Sequence, residues 1–290
     1  MVGPSARGAG MKRSIFVADR RILGLLKPAE KFAYVVGAQL NETMWGKRIS
    51  TFWGHRVAQP GLALTINSRL RLFGVEHLPK RSMILAPNHR TWFDLFAVMI
   101  ATWEHYPEPP FLFCPVRSGF HYESPLGVAL NLLVSGNAMY PPVFRDDRGP
   151  VLNRNVVDAC VRLLAWTPRA VVAMHPEGTR NTGDDPYALL APKSGVGRIA
   201  LASRAPVVPA FVNGLPRSFG RLLRERVSRD VEPVRVFLGP PVGLDDLYDR
   251  VDDRDAHREA AERTMAAIAA LGARDRAFMA EWRAASGRLA

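Results

Sequence analysis

Short apolar runs alternate with helical patterns from residue 69 onward, and this alternation is the strongest constraint on the fold. The runs predict six strands, at 70–73, 83–86, 111–116, 170–174, 207–212 and 234–238. Between them, helical spacing occurs over 95–103 and 199–202 and in the four-residue steps of Leu152, Val156, Cys160 and Leu164. Strands separated by helices predict an α/β fold with a mixed, largely parallel sheet flanked by helices. The Ala-rich stretches 258–271 and 277–285 predict two surface helices.

Length and cysteine content limit the class of protein. The chain has 290 residues, of which 48% are hydrophobic and 23% are charged, and this excludes whole-chain disorder and coiled coil. Two cysteines are too few for a disulfide framework and favour a reducing compartment. We expect a disordered basic start over 1–14, amphipathic helices over 15–68 and one domain with its C-terminal helices over 69–290.

The positive charge is concentrated near the N-terminus. The whole chain has a net charge of +12, and residues 1–70 hold 11 basic side chains against 3 acidic ones. Such a field attracts phosphate groups, on nucleic acid or on an anionic membrane surface. The chain has neither zinc-finger spacing nor an aromatic RNA-recognition signature, so we expect no nucleic-acid partner.

The segment 32–66 mixes aromatic, aliphatic and basic side chains. Examples are Phe32, Trp45, Phe52, Arg48 and Arg56. This mixture suits helices that lie in a membrane interface, but it also suits an ordinary amphipathic helix packed on the domain. The longest uncharged run, 124–144, is interrupted by prolines and asparagines, so we expect no transmembrane helix.

A histidine and an aspartate follow the second predicted strand in the sequence Asn88-His89-Arg90-Thr91-Trp92-Phe93-Asp94. A carboxylate that accepts the Nδ1 proton of His89 would leave Nε2 free as a general base. On a continuous helix a spacing of five would place the two side chains about 140° apart, so a loop-to-helix turn must bring them together. The alternative is a capping box, with Thr91 as N-cap and Asp94 at N3.

A second polar group follows the strand predicted at 170–174, in His175-Pro176-Glu177-Gly178-Thr179-Arg180. Gly178 permits a close backbone approach, and Arg180 has the guanidinium that grips a phosphate. Glu177 could orient Arg180 or bind a hydroxyl group. The alternative is a surface turn closed by a Glu–Arg ion pair.

The two groups occur in an order that resembles the glycerolipid acyltransferase family, of the bacterial 1-acylglycerol-3-phosphate acyltransferase type. The resemblance covers about residues 70–215. Asn88–Asp94 resembles the first motif, with Thr91 where Ser is usual, and Pro176–Arg180 resembles the third, with His175 where Phe usually precedes it. Phe144-Arg145 is similar to the second motif and Val207-Val208-Pro209-Ala210 to the fourth, an apolar strand that lines the acyl site. The second motif departs from the usual pattern, because this chain has Tyr140-Pro141-Pro142 before Val143.

The resemblance implies transfer of an acyl group from acyl-CoA or acyl carrier protein to a lysophospholipid hydroxyl, with no cofactor and no metal. His89 and Asp94 would be catalytic, and Val208 and Pro209 would line the acyl site. The acceptor would be bound by Arg145, Glu177, Gly178, Thr179 and Arg180, with Arg117 and Lys193 nearby. The membrane surface with its anionic lipids would be a partner, and the protein would be peripheral, on the cytoplasmic face of the cell membrane.

Two other functions remain open at this point. The altered second motif leaves room for another acceptor, such as lyso-ornithine lipid, a glycolipid or a different lysophospholipid. A hydrolase would need water in place of the acceptor at His89, because the chain has no Gly-x-Ser-x-Gly nucleophile motif.

Overall fold

The computed structural model describes residues 14–15, 20–66, 69–103, 105–166, 169–228 and 231–286. A six-stranded sheet has the order β1-β8-β7-β2-β6-β3. Its strands are β1 (Leu70–Phe73), β2 (Met83–Pro87), β3 (Phe111–Phe113), β6 (Ala170–Ala173), β7 (Val207–Asn213) and β8 (Val234–Leu238). Of residues 1–14, the structure describes only Ser14, so the predicted disordered start lies outside the described residues.

The sheet is mixed but largely parallel, which confirms the predicted fold class. Strands β7, β2, β6 and β3 run parallel to one another, and β8 pairs antiparallel with β7 and parallel with β1. The carboxyl ends of β2, β6 and β7 therefore meet at one edge of the sheet, where α/β folds place their sites.

The third predicted strand, 111–116, is broken in two. β3 ends at Phe113, and β4 (Val116–Arg117) pairs with β5 (Pro142–Val143) in a separate two-stranded parallel sheet. The break has a physical cause, because Pro115 has no N–H to donate to a ladder and the Cys114 N–H donates to the Ala138 carbonyl instead (2.7 Å).

Helices cover both faces of the sheet. Those after β1 are α5 (Asp94–Trp103), α6 (Ser118–His121), α7 (Pro125–Ser135), α8 (Gly149–Trp166), α9 (Gly195–Ser203), α10 (Phe219–Val227) and α11 (Arg254–Ala285). Ile84 packs with α8 and α9 on one face, and its neighbour Leu85 packs with α5 on the other. Strands β2 and β6 are buried throughout and β7 as far as Val212, which explains their continuous apolar sequences.

The two predicted C-terminal surface helices form a single helix, α11, and this prediction was wrong. Gly272, where the break was expected, lies against the Phe211 ring of β7, so that a Cβ there would stand 3.0 Å from a ring carbon. Asp275 is fully buried and pairs with Arg235 of β8, which is 2% exposed. The residues that interrupt the Ala-rich pattern are thus those that pack α11 on the sheet.

The N-terminal helices share a core with the sheet. They are α1 (Arg20–Leu25), α2 (Pro28–Glu42), α3 (Met44–Trp53) and α4 (Gln59–Ile66), with a π-helical turn over Gly54–Ala58. Ala33, Tyr34 and Ala38 of α2 belong to the same apolar cluster as Tyr140 and Phe144. No helix among the described residues is long and apolar enough to cross a membrane.

A buried lysine joins α3 to the edge strand β3. Lys47 is 0% exposed; its Nζ donates to Asn41 Oδ1 (2.8 Å) and to the Leu112 carbonyl, and it lies 3.9 Å from the centre of the Phe113 ring. Burial lowers the pKa of Lys47 to about 7. The helix is thereby fixed to the sheet by a fully buried lysine side chain.

Candidate active site

His89 and Asp94 lie together at the carboxyl end of β2. His89 Nδ1 is 3.2 Å from Asp94 Oδ2, the His89 side chain is 20% exposed, and the Asp94 side chain is 1% exposed. Because α5 begins at Asp94, residues 88–93 form a loop that folds the carboxylate back onto the imidazole. The arrangement leaves one face of the dyad open to a substrate.

Asp94 is held by four donors. Oδ2 accepts from His89 Nδ1 and from the backbone N–H groups of Arg90 (2.6 Å) and Thr91 (2.7 Å), and Oδ1 accepts from Thr91 Oγ1 (2.8 Å). Such a network fixes the orientation of the carboxylate. Both side-chain contacts of the expected Thr91–Asp94 capping box are present, since Thr91 Oγ1 accepts from the Phe93 N–H (3.0 Å) and Asp94 Oδ2 accepts from the Thr91 N–H. Only the helix start differs, because α5 begins at Asp94.

Glu177 is buried and binds the backbone of the loop that carries His89. It is 1% exposed; Oε1 accepts from the His89 N–H (2.7 Å) and Oε2 from the Leu190 N–H (2.8 Å). Burial raises the pKa of the Glu177 carboxyl. Both carboxylate oxygens thus bind backbone N–H groups, and the predicted role of Glu177 in binding the acceptor stays a prediction.

His175 stacks on the predicted general base. The rings of His89 and His175 are parallel within 6°, with centroids 3.7 Å apart. His175 Nδ1 lies 3.1 Å from the Pro87 carbonyl and 3.0 Å from that of Asn88, and both oxygens are acceptors, so Nδ1 carries the proton. Burial, and then the nearby His89, lower the pKa of His175 to about 4, so the ring is neutral at neutral pH.

Asn88 joins the loop that carries His89 to β7. It is 0% exposed, its Oδ1 accepts from the Val212 N–H (2.7 Å) and its Nδ2 donates to the Val212 carbonyl (3.1 Å). Neither this role nor the stacking of His175 was predicted. The sequence offered one indication of the stacking, namely that His175 stands where the family usually has Phe.

Several basic residues lie together on the β6 side of the dyad. The Arg145 guanidinium donates to the Gly178 carbonyl, and the Lys193 N–H donates to the Pro176 carbonyl (2.8 Å). Gly178 has a φ of +67°, and a Cβ there would stand 3.1 Å from Lys193 Cγ. The Arg180 guanidinium lies 4.0 Å from the centre of the Trp92 ring. The structure thus brings Arg145, Gly178, Arg180 and Lys193 together at one loop.

Arg117 and Thr179 are exposed at this side of the molecule. Arg117 ends β4, where it pairs in register with Val143 of β5, two residues before Arg145. Thr179 lies between Gly178 and Arg180 in the same loop. The β4–β5 ladder therefore brings Arg117 and Arg145 to neighbouring strand ends.

Val208 and Pro209 lie inside β7, and their predicted acyl-site role stays a prediction. Val208 is fully buried, and Pro209 pairs in register with Ala86 of β2. Across the described ranges, no group of three or more His, Cys, Asp or Glu side chains could hold a metal ion.

The sequence matches the family model named Acyltransferase over residues 69–213, which is half of the chain and contains the dyad and the basic group. Among solved structures, the chain is similar to the 1-acyl-sn-glycerophosphate (LPA) acyltransferase PlsC of Thermotoga maritima. The two are 18% identical over 83% of this chain and 84% of that one, with a TM-score of 0.40. No curated protein matches significantly.

Proposed function

Because this chain belongs to the Acyltransferase family, we propose that it transfers a fatty acyl group from a thioester donor to the free hydroxyl of 1-acylglycerol-3-phosphate. The product is phosphatidic acid, a phospholipid precursor. The observation that carries the proposal is the His89–Asp94 contact of 3.2 Å beside a group of basic side chains. A base and a phosphate-binding group are the two elements that such an acceptor requires.

In the proposed mechanism, His89 is the general base. Its contact with the Asp94 carboxylate supports a proton on Nδ1 and a free lone pair on Nε2. Nε2 takes the proton of the acceptor hydroxyl as the hydroxyl oxygen attacks the thioester carbonyl carbon. The tetrahedral intermediate then expels the thiolate, which receives the proton back from His89 and leaves as a thiol. Asp94 stabilises the imidazolium between the two steps.

The acceptor phosphate would bind to Arg145 and Arg180, with Arg117 and Lys193 at the edge of the same group. Arg145 lies against the Gly178 carbonyl and Arg180 over Trp92, so two guanidiniums border one loop. Guanidinium groups bind phosphate in a bidentate manner, which suits a phosphomonoester better than a neutral headgroup.

The protein would work at the surface of an anionic membrane, on its cytoplasmic face. On α3, Trp45 is 74% exposed, Ile49 61% and Phe52 64%, a spacing that places all three on one side of the helix. Arg48 and Arg56 are exposed beside them. Apolar side chains flanked by basic ones fit the boundary between headgroups and acyl chains. Basic residues near such a surface each contribute about 1 kcal/mol.

The apolar surface continues from α3 across α7 to the rim of the site. Trp53 Nε1 donates to the Leu133 carbonyl (2.8 Å), which joins the two helices. On α7, Leu126 is 63% exposed and Leu133 58%. Trp92, beside the dyad, is 52% exposed and lies 6.5 Å from the Phe120 ring. A lipid acceptor could therefore reach His89 along an apolar path.

The test is acyl transfer in detergent micelles with labelled palmitoyl-CoA and, separately, palmitoyl-acyl carrier protein. Lysophosphatidic acid is offered beside neutral and zwitterionic lyso-lipids, with wild type and His89→Ala in parallel. We expect transfer to lysophosphatidic acid that falls about a hundredfold or more in the variant. Transfer only to a phosphate-free acceptor would remove Arg145 and Arg180 from their role. Unchanged activity of His89→Ala would overturn the mechanism.

A further inference from the structure

A large cavity opens beside the dyad on the β7 side, away from Arg145 and Arg180. Its volume is about 700 Å³, and its wall includes Thr91 and Asp94 of the catalytic loop and residues after β7. Most of its wall comes from residues after β7, with Asp184 and Pro186 from the loop after β6, and the wall includes none of Arg145, Gly178, Arg180 and Lys193. Its size suits a ligand as large as a nucleotide.

Two arginines on the wall converge on neutral oxygens. Arg90 donates to the carbonyls of Gly183 (Nη2, 2.7 Å) and Asp185 (Nη1, 2.7 Å), and Arg217 Nη2 donates to the same Gly183 carbonyl (2.8 Å). Partial burial, and then the charge of Arg217, lower the pKa of Arg90. Two like charges held at one carbonyl repel each other, and a bound anion would relieve that repulsion.

None of the carboxylates on the wall forms a salt bridge with either guanidinium, although the charges of Asp94 and Asp185 favour the charged form of Arg90. Glu225 binds Arg69 and Arg221, and Glu232 binds Arg283. Asp94 is committed to the dyad. Asp184 remains as an exposed carboxylate at the rim. Arg90 and Arg217 thus keep their charges available for a ligand.

The start of α10 adds to the attraction for anions. Ser218 caps this nine-residue helix by accepting from the Arg221 N–H (3.3 Å), and both residues line the cavity. The N-terminus of a helix carries a partial positive charge, which favours phosphate beside the two guanidiniums.

We propose that Arg90 and Arg217 bind the phosphate groups of the nucleotide portion of an acyl-CoA donor in this cavity, an inference that rests on the proposed acyl transfer. The reaction joins two substrates, and the arginines of the cavity wall form a cationic group separate from Arg145 and Arg180. The smaller phosphomonoester of the acceptor fits the Arg145 group. The nucleotide, which carries a diphosphate and a 3′-phosphate, fits the larger cavity, and its flexible pantetheine arm would lead past Arg90 to His89.

The test separates the nucleotide from the thioester. Transfer to lysophosphatidic acid is measured with palmitoyl-CoA and with S-palmitoyl-N-acetylcysteamine, a donor that lacks every phosphate. The variant is Arg217→Gln, at an exposed position outside the dyad. The matched control is Arg224→Gln, which removes the same charge from exposed surface of α10 outside the cavity wall.

We expect Arg217→Gln to raise the KM for palmitoyl-CoA about tenfold, the effect of one charge-assisted contact. The KM for lysophosphatidic acid and the rate with the truncated donor should stay within twofold of wild type, and Arg224→Gln should match wild type with both donors. Calorimetry with adenosine 3′,5′-bisphosphate should show binding to wild type that Arg217→Gln weakens by a similar factor.

Other outcomes would overturn the assignment. The nucleotide does not bind in this cavity if Arg217→Gln has no effect, slows transfer from both donors equally, or raises the KM for lysophosphatidic acid. The same conclusion follows if wild type uses palmitoyl-acyl carrier protein but not palmitoyl-CoA. If transfer from the truncated donor depends on His89 while Arg217→Gln behaves like Arg224→Gln, the donor site has failed and the proposed function stands. If wild type transfers from no donor, both fail.

Discussion

At the scale of single residues, Asp94 combines two tasks, because it orients His89 and holds the loop that carries it. We expect Asp94→Asn to lower kcat about a hundredfold or more, since an amide facing Nδ1 favours the wrong imidazole tautomer. Asp158→Asn, an exposed change on α8, is the control for loss of a negative charge. The readouts are kcat and melting temperature. Equal kcat in the two variants would contradict the assigned role of Asp94.

His175 is a positioning residue in this scheme, because its ring restrains His89 by stacking. We expect His175→Ala to lower kcat about tenfold with little change in KM, since a base displaced by a fraction of an ångström loses its alignment. His175→Phe keeps a flat ring and should restore kcat to within about threefold. A Phe variant as slow as the Ala variant would show that the hydrogen bonds of Nδ1, and not the stack, are what matters.

The proximity of His89 and Asp94 could be predicted from the sequence, but the long-range contacts of the candidate site could not. The motif spacing predicted His89 and Asp94, which are only five residues apart and lie in one turn. The contacts of Glu177 with His89 and of Asn88 with Val212 join residues 88 and 124 positions apart. Such pairings depend on strand order, which the alternation of strands and helices leaves undetermined.

At the scale of elements, strands were predictable because each is a short apolar run with clear ends. The prediction of one strand over 111–116 was wrong because Pro115 interrupts the ladder. The prediction of two C-terminal helices was wrong because residues 272–276, which separate the Ala-rich stretches, continue the helix. In the structure a side chain at Gly272 would meet the Phe211 ring. A glycine in a helix signals either an end or a close packing contact, and only the tertiary structure decides between them.

Close packing of α9 on α11 gives a stability prediction. A Cβ at Gly197 would stand 2.0 Å from the His257 carbonyl oxygen, whereas at Gly61 on α4 nothing lies within 4 Å. We expect Gly197→Ala to lower the free energy of unfolding by about 2 kcal/mol or more, because backbone must move. Gly61→Ala should raise it by up to about 1 kcal/mol through helix propensity. Urea denaturation measures both, and a neutral Gly197→Ala would contradict the packing.

Lys47 gives a pH prediction at the junction of α3 and β3. Its pKa is about 7 in the folded protein, against 10.5 ordinarily, because burial outweighs the smaller opposing effect of Cys114. Between these values the unfolded chain binds more protons, so the free energy of unfolding rises with pH. We expect wild type to gain up to about 1.4 kcal/mol per pH unit relative to Lys47→Met from pH 7 to 10. Parallel pH profiles in urea denaturation would contradict a neutral buried lysine.

At the scale of the whole molecule, the N-terminal helices cannot be treated as a detachable anchor. Removal of residues 1–68 would also remove Ala33, Tyr34 and Ala38 from the shared core. A test of membrane binding therefore needs surface changes that leave this core intact.

We expect the combined variant Trp45→Ser and Phe52→Ser to float with phosphatidylglycerol vesicles several-fold less than wild type. Both side chains are more than half exposed, so their loss removes apolar contact with lipid and little contact with the core. Val251→Ser, at another exposed apolar residue, is the control and should float like wild type. Equal flotation of all three proteins would exclude α3 as the membrane-binding surface.

The buried Lys47 has a consequence for how the enzyme would meet a bilayer. Because α3 is fixed through Lys47 to β3, the surface that carries Trp45 and the sheet edge that carries His89 belong to one rigid frame. A bilayer bound to α3 would then set the height of His89 above the headgroups. Lipids whose free hydroxyl lies at that depth in the bilayer would reach His89 without leaving the membrane. The selectivity for acceptor lipids would then depend partly on the depth of the hydroxyl along the membrane normal.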